Sequence, residues 1–320
     1  MIAARGAAAQ LCVLQHGQVV LDRSFGGEPD ALFWTFSASK PFIALLTQLF
    51  AERGVIGLDD RVARYWPAFG AGGKAEVTIR QVLRHRSGLA FARGVLGDAL
   101  AMGHWDRSVR HLERAVLRWP PGSVPAYQTI AYGFILGEVL QRATGVPPAE
   151  LMATEIFAPL GLHDTHLGLP DDLLERAVPV RGKRVPAWYV NRPAIRRAVI
   201  PSAGLSTTAR DLARFYQALL DGGAGVWSEA TVRQARRQST TDGEIDRTFG
   251  SAIRWAQGFH LAGSAMGATA SPETFGHNGS NCCIGWADPA HGLVVAYLTD
   301  RLVPKPGHLG AVSDAVRAVC

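Results

Sequence analysis

A serine, two residues and then a lysine stand at Phe36-Ser37-Ala38-Ser39-Lys40-Pro41-Phe42. A serine hydroxyl is a poor nucleophile until a neighbouring base takes its proton. If Ser37 opens a helix, Lys40 lies one turn on, on the same face, with Cβ atoms about 5–6 Å apart. An amine acts as that base only when burial or nearby cations lower its pKa. Unpaired N–H groups at a helix start favour the negative charge that attack creates. Pro41 to Phe50 (PFIALLTQLF) is almost wholly apolar, which predicts a buried helix with its lysine out of water. A capping serine beside a solvated lysine would give the same four letters. The apolar run speaks against that, as does the scarcity of lysine: only Lys40, Lys74, Lys183 and Lys305 among 33 basic residues.

Two further groups could act with this pair. Tyr127 follows Pro121-Gly122 and precedes an apolar helix; a phenol at a helix mouth is a candidate acid or base when a cation lowers its pKa. His277-Asn278-Gly279 leads into a strand of small residues, where Gly279 would let a substrate approach the backbone. The G-x-S-x-G elbow, HExxH, Walker loop and GxGxxG patterns are absent from the sequence. His163 and His166 have a chelating spacing but sit beside Pro159-Leu160-Gly161, which reads as a surface turn, so no metal site and no cofactor is expected. Cys12, Cys282, Cys283 and Cys320 form no CxxC pair, and adjacent Cys282 and Cys283 would face opposite sides of a strand as small apolar residues.

The elements that must position these groups follow from periodicity. Leu11–His16 and Gln18–Phe25 read as a hairpin turning at Gly17. After the Ser37 helix the pattern is helical: Thr78–Arg84, Arg107–Trp119, Thr129–Thr144, Pro147–Leu160, Ala209–Asp221 and Trp227–Gln238. The stretch 168–203 is rich in proline and arginine and reads as a long ordered loop. Strands return at Thr248–Trp255, Glu273–Gly276, Asn281–Ala287 and Gly292–Asp300, and Leu309–Val319 closes the chain as a helix. Strands at both ends and helices between predict one sheet built from the two termini, with a large, mainly helical lobe inserted. The expected division is 1–65 plus 242–320 for the sheet lobe and 66–241 for the helical lobe, with the site between them.

At 320 residues, 48% hydrophobic and 19% charged, the chain is that of a globular protein with a large core. The net charge of +6 comes from scattered arginines. The tightest group, Arg181-Gly182-Lys183-Arg184, lacks stacking aromatics, so no nucleic-acid partner is expected. No apolar run is long enough to span a membrane. The start has one arginine but no distinct cleavage region, which predicts a cytoplasmic protein.

The motifs together resemble the superfamily of penicillin-binding proteins and class C β-lactamases, and within it the family VIII carboxylesterases. The resemblance runs over nearly the whole chain. Beside Ser37-Ala38-Ser39-Lys40 it includes Gly57-Leu58-Asp59-Asp60, Gln81 to Leu89 (QVLRHRSGL), Pro121-Gly122 ahead of Tyr127, Ile156 to Leu162 (IFAPLGL), Ala203 to Asp211 (AGLSTTARD) and Gly276-His277-Asn278-Gly279. It implies an α+β fold, an α/β/α sandwich whose antiparallel sheet is flanked by helices. It implies that Ser37 is acylated, that Lys40 takes its proton, and that Tyr127 relays a proton to the leaving group or activates water. It also implies an oxyanion hole made by the N–H groups of Ser37 and Ser280.

Two departures from the family pattern bear on substrate. Thr129 stands where peptidases and β-lactamases usually have an asparagine that binds the substrate amide. His277-Asn278-Gly279 replaces Lys-Thr-Gly, putting a weaker, pH-dependent cation where a carboxylate is usually held. Thr129, His277, Asn278 and Gly279 are therefore the expected substrate-binding residues, and both changes favour esters over β-lactams and peptidoglycan. The expectation is a serine hydrolase of small acyl esters. The alternatives are an acyltransferase, an amide, β-lactam or D-amino-acid peptide hydrolase on the same scaffold, and a non-catalytic binding protein. The partner expected is a small ester or amide; oligomeric state is not legible in the sequence.

Overall fold

The computed structural model describes residues 1–182 and 187–320. Strands β1 (Ala9–Gln15) and β2 (Gln18–Phe25) form the expected hairpin. β3 (His260–Leu261), β4 (Phe275–Gly279), β5 (Cys283–Asp288) and β6 (Leu293–Thr299) complete an antiparallel sheet in the order β2-β1-β6-β5-β4-β3. The first and last strands of the chain thus pair at its centre, with Leu11 opposite Tyr297 and Val13 opposite Val295.

Alternation along the strands sends two sets of side chains to two cores. Leu11, Val13, Ile284, Trp286, Val295 and Tyr297 pack under α5 (Gly307–Arg317) through Leu309, Val312 and Val316. Cys12, Leu14, Cys283, Val294, Ala296 and Leu298 face the larger core, where α3 (Ala209–Leu220) lies across β1, β5 and β6. The sandwich of helix, sheet and helix is the architecture the resemblance implied.

Helix α1 (Lys40–Glu52) runs through the larger core and is buried from Lys40 to Phe50, so it is apolar on every side rather than amphipathic. It packs against α2 (Ala131–Thr144) and α4 (Glu229–Arg236). Ser37 is not on the α-helix itself: Phe36–Ser39 form a 3-10 turn that feeds α1. That turn is stapled from two sides. Thr35 N donates to Leu205 O at 2.9 Å, Ser39 Oγ accepts from Leu205 N at 3.2 Å, and Cys283 Sγ donates to Thr35 O at 2.8 Å. Phe36, just before the nucleophile, has φ +48°, a left-handed conformation held in place by these bonds.

Other differences from the periodic reading have local causes. Thr248–Trp255 is not a continuous strand; only Ser251–Ala252 pair, with Ile245–Asp246, because the Asp246 carboxylate accepts from Thr248 N and Phe249 N and turns the chain. The 168–203 stretch holds short helical turns at Asp171–Arg176, Ala187–Val190 and Pro193–Arg196, while Lys183 and Arg184 of the basic cluster lie outside the described residues. A helix at Val95–Ala101 was not legible, since its glycines and mixed polarity give no helical period. His166 is in a two-residue strand, and among the described residues no His, Cys, Asp or Glu group could hold a metal ion. Among them also no helix is long and apolar enough to cross a membrane.

Gly279 is where β4 meets the nucleophile turn. A Cβ there would lie 1.9 Å from Thr35 O and 2.6 Å from Cys283 Sγ, and neither neighbour can retreat without moving the turn or β5. Gly279→Ala should lower unfolding free energy by about 2–4 kcal/mol, read from urea denaturation, and displace Ser37.

Candidate active site

Ser37, Tyr127, Thr129, His277, Asn278 and Ser280 line one cleft of about 650 Å³. The sequence places them more than 240 residues apart; the Phe36–Ser39 turn, the segment entering α2, and β4 with its turn bring them together. Gly279 is buried in β4 against Thr35. Lys40 lies beneath the cleft and is fully buried.

The Lys40 amine has three oxygen neighbours: Thr129 O at 2.7 Å, Ser202 O at 3.2 Å and Ser37 Oγ at 3.3 Å. No carboxylate pairs with it, and burial holds its pKa well below the ordinary lysine value. A neutral amine has two N–H bonds and one lone pair. The two carbonyls take the two N–H donors, which leaves the lone pair for the Ser37 O–H. Ser202 is itself held on both sides, since its Oγ accepts from Gly133 N at 2.6 Å and donates to Ile130 O at 2.8 Å.

Tyr127 is buried, with its ring centre 4.9 Å from Lys40 Nζ and its hydroxyl hydrogen-bonded to Ser37. The sequence suggested a phenol acidified by a cation. The structure does the reverse: burial raises its pKa above the ordinary phenol value, the Ser37 hydrogen bond opposes that, and Asp246 adds to the rise. The physical reason is burial of the phenol, which disfavours its charged form.

His277 likewise differs from the expected cation. It is buried, and burial pushes its pKa well below the imidazole value, while the bond to Asn278 opposes this. Nδ1 lies 2.8 Å from Asn278 O, which assigns the ring proton there and leaves Nε2 as a bare acceptor without a partner. Thr129 Oγ1 is also buried without a partner. Ser280 and Asn281 turn the chain between β4 and β5 with φ +44° and +58°.

Several site residues carried no signal in the sequence. His85, quoted only as part of a motif, lies 4.8 Å from the Tyr127 ring and is fully buried with φ +56°. Trp255 stacks on Tyr127 at 5.1 Å and touches His260 edge-on at 4.1 Å, and His260 lies 4.7 Å from His277. Trp105 donates to Glu138, Tyr189 donates to Leu100 O, and Trp188 is exposed; none of these three aromatics lines the cleft. Asp246 is fully buried beneath this wall. One carboxylate oxygen accepts from Tyr127 N and Trp255 Nε1, each at 3.0 Å, while the other accepts from Thr248 N and Phe249 N at 2.8 and 3.1 Å. It anchors both rings without touching the cleft. An acidic residue in a loop of mixed polarity gives no hint of this.

Asp246→Asn replaces one of the two acceptor oxygens with an NH2 group and so breaks two of the four hydrogen bonds. We expect kcat to fall about 10- to 100-fold with little change in KM, measured by steady-state kinetics, because Tyr127 is misplaced rather than lost. A second expectation concerns pH. His85, His260 and His277 all have lowered pKa values, chiefly through burial, with His260 pushed down to about 3. The unfolded chain binds protons near pH 6.5 that the folded chain refuses, so this stability is fully present above that pH and is lost as pH falls through the window below it. Each histidine should contribute a loss of up to about 1.4 kcal/mol per pH unit. Urea midpoints between pH 7 and 5 should fall steeply in the wild type and less steeply in His260→Asn.

The β-lactamase family model matches residues 1–317. Among curated relatives, the chain is 29% identical to "Esterase/beta-lactamase LipL" of Mycobacterium tuberculosis, over 92% of this chain and 77% of that one. It is also 29% identical to "Esterase EstB" of Burkholderia gladioli, over 95% and 88%. Among solved structures it superposes on a family VIII carboxylesterase with a TM-score of 0.87 at 26% identity, over 98% and 93% of the two chains. A single family model spanning both ends of the sheet and every residue of the cleft identifies this chain as a member of the β-lactamase family.

Proposed function

We propose that this protein is a serine carboxylesterase that cleaves small acyl esters through an acyl-enzyme on Ser37. The observation that carries the reading is the fully buried Lys40 amine, without a carboxylate partner and 3.3 Å from Ser37 Oγ, with two carbonyls placed to take its N–H groups. Its relatives named as esterases support the same substrate class.

Ser37 Oγ attacks the ester carbonyl carbon as its proton passes to Lys40 Nζ. The carbonyl π electrons move to oxygen, which the Ser37 and Ser280 N–H groups stabilise; losing one such donor typically lowers the rate about a hundredfold or more. As the tetrahedral intermediate collapses, the C–O bond to the alcohol breaks. The departing alkoxide takes a proton from the Tyr127 hydroxyl, and the phenolate is reprotonated by the neighbouring Lys40 ammonium, which returns to the free amine. Water then attacks the acyl-enzyme by the same route in reverse, releasing the acid and restoring Ser37. A phenol that stays protonated suits the acid half of this cycle.

The cleft favours esters over anionic amide substrates. Neutral His277 supplies no cation for a carboxylate, and Thr129 presents a hydroxyl where an amide would be matched by asparagine. His277 Nε2 and Thr129 Oγ1, both without partners, are the atoms we assign to the substrate's alcohol or acyl portion. The four cysteines are free thiols, in keeping with a cytoplasmic setting.

Ser37→Ala should lower kcat on p-nitrophenyl butyrate by at least about a thousandfold. Mass spectrometry of wild type quenched in turnover should find the acyl group on Ser37. A variant that keeps the wild-type rate overturns the assignment of the nucleophile.

A further inference from the structure

Three stretches far apart in the chain bring six guanidinium groups around an open groove of about 790 Å³. Arg80 and Arg84 come from the short helix Ile79–Leu83 and its C-terminal end. Arg233, Arg236 and Arg237 come from the end of α4, and Arg254 from the run leading into β3. Read along the sequence these arginines are scattered; the fold gathers them on one face.

Carboxylates answer only part of this charge. Asp59 holds Arg80 with two hydrogen bonds of 2.6 and 2.7 Å, Glu229 pairs with Arg233, and Glu273 lines the groove beside Arg236. Arg84 has no such partner. Its Nε is shut off from solvent without a hydrogen bond, and burial first, then Arg80, press its pKa below the usual guanidinium value, with Arg237 and Arg86 adding and Asp59 opposing. Arg236 lies over the Phe275 ring at 4.5 Å, half withdrawn from water.

Gln257 adds an independent sign of a ligand. It lines the groove and is 1% exposed; its Nε2 donates to Gln234 O at 3.2 Å, but its Oε1 has no partner. The groove therefore offers a set of converging donors and one buried acceptor. An unanswered cluster of like charges repels itself until an anion settles in it. Planar guanidinium forks match phosphate oxygens in pairs, and the volume is that of a small-molecule site.

We propose that this groove binds a small, multiply charged phosphate ester. Arg84, Arg236 and Arg237 take the phosphate oxygens, and a hydroxyl or amino group of the organic part donates to Gln257 Oε1. The site is separate from the catalytic cleft. The run from Ser251 to Leu261 forms the wall between them, with Ile253 and His260 lining the cleft and Arg254, Gln257 and Leu261 lining the groove. Binding in the groove does not depend on esterase activity in the cleft.

Titration calorimetry of the full chain at ~0.15 M salt tests it, with pyrophosphate and ATP as probes. The expected result is saturable one-to-one binding of both, tighter for ATP. It should weaken about tenfold in Arg237→Gln, whose side chain is exposed, and further in Arg84→Gln/Arg237→Gln. Near-UV circular dichroism of the variants should match wild type, so that lost binding is not lost folding. Absence of saturable binding, equal affinity in wild type and variants, or retention on phosphatidylglycerol vesicles without binding of free ATP would each overturn the proposal.

Discussion

The structure turns on one amine kept out of water without a countercharge. Lysine is seldom buried, and when it is, a carboxylate usually accompanies it. Here the companions of Lys40 are two carbonyls and a hydroxyl. Dipoles of that kind satisfy N–H donors but do not offset the desolvation of a full charge, so burial holds the amine's pKa well below the ordinary lysine value. Much of the molecule serves to hold this arrangement. The apolar helix α1 excludes water from below, α2 is entered so that Thr129 O points at the amine, and Ser202 is pinned by Gly133 N and Ile130 O so that its own carbonyl can do the same.

The same burial governs the rest of the cleft. Tyr127 is shut away from water and its pKa rises, so it stays a phenol. His85, His260 and His277 pack among aromatic rings and stay imidazoles. The charge nearest the reacting groups belongs to Asp246, and its two oxygens are occupied by four N–H donors that fix the wall rather than polarise the site. In the proposed reaction, electrostatic stabilisation of the oxyanion then falls to the Ser37 and Ser280 N–H groups.

How much of this was legible in the sequence depended on whether the signal was local. The spacing of Ser37 and Lys40 and the apolar run after them made the buried lysine legible, because the 3-10 turn and the helix it feeds are one continuous local stretch. The hairpin Leu11–Phe25 and the strands at the end of the chain were legible from alternation, and their pairing at the sheet's centre followed the texture of the two termini. What escaped was set by distant partners. A three-stranded patch joins Phe33–Trp34, Leu205–Thr207 and His166–Leu167, pieces too short to show a period. The charge state of His277 depends on its complete burial, which segments far apart in the chain bring about. The role of Asp246 exists only because Tyr127 and Trp255 arrive from different segments.

The same distinction explains why one wall separates two electrostatic extremes. Between Ser251 and Leu261 the chain puts Ile253 and His260 toward a cleft without a charged lining residue, and Arg254 and Gln257 toward the arginine groove. Those guanidinium groups line the open groove, where solvent screens their charge. A cation that penetrated the wall would lower the pKa of Lys40 further and weaken it as a base, while a carboxylate there would restore its proton. The apolar and aromatic composition of this short run therefore protects the one property the chemistry needs, an amine whose lone pair is free.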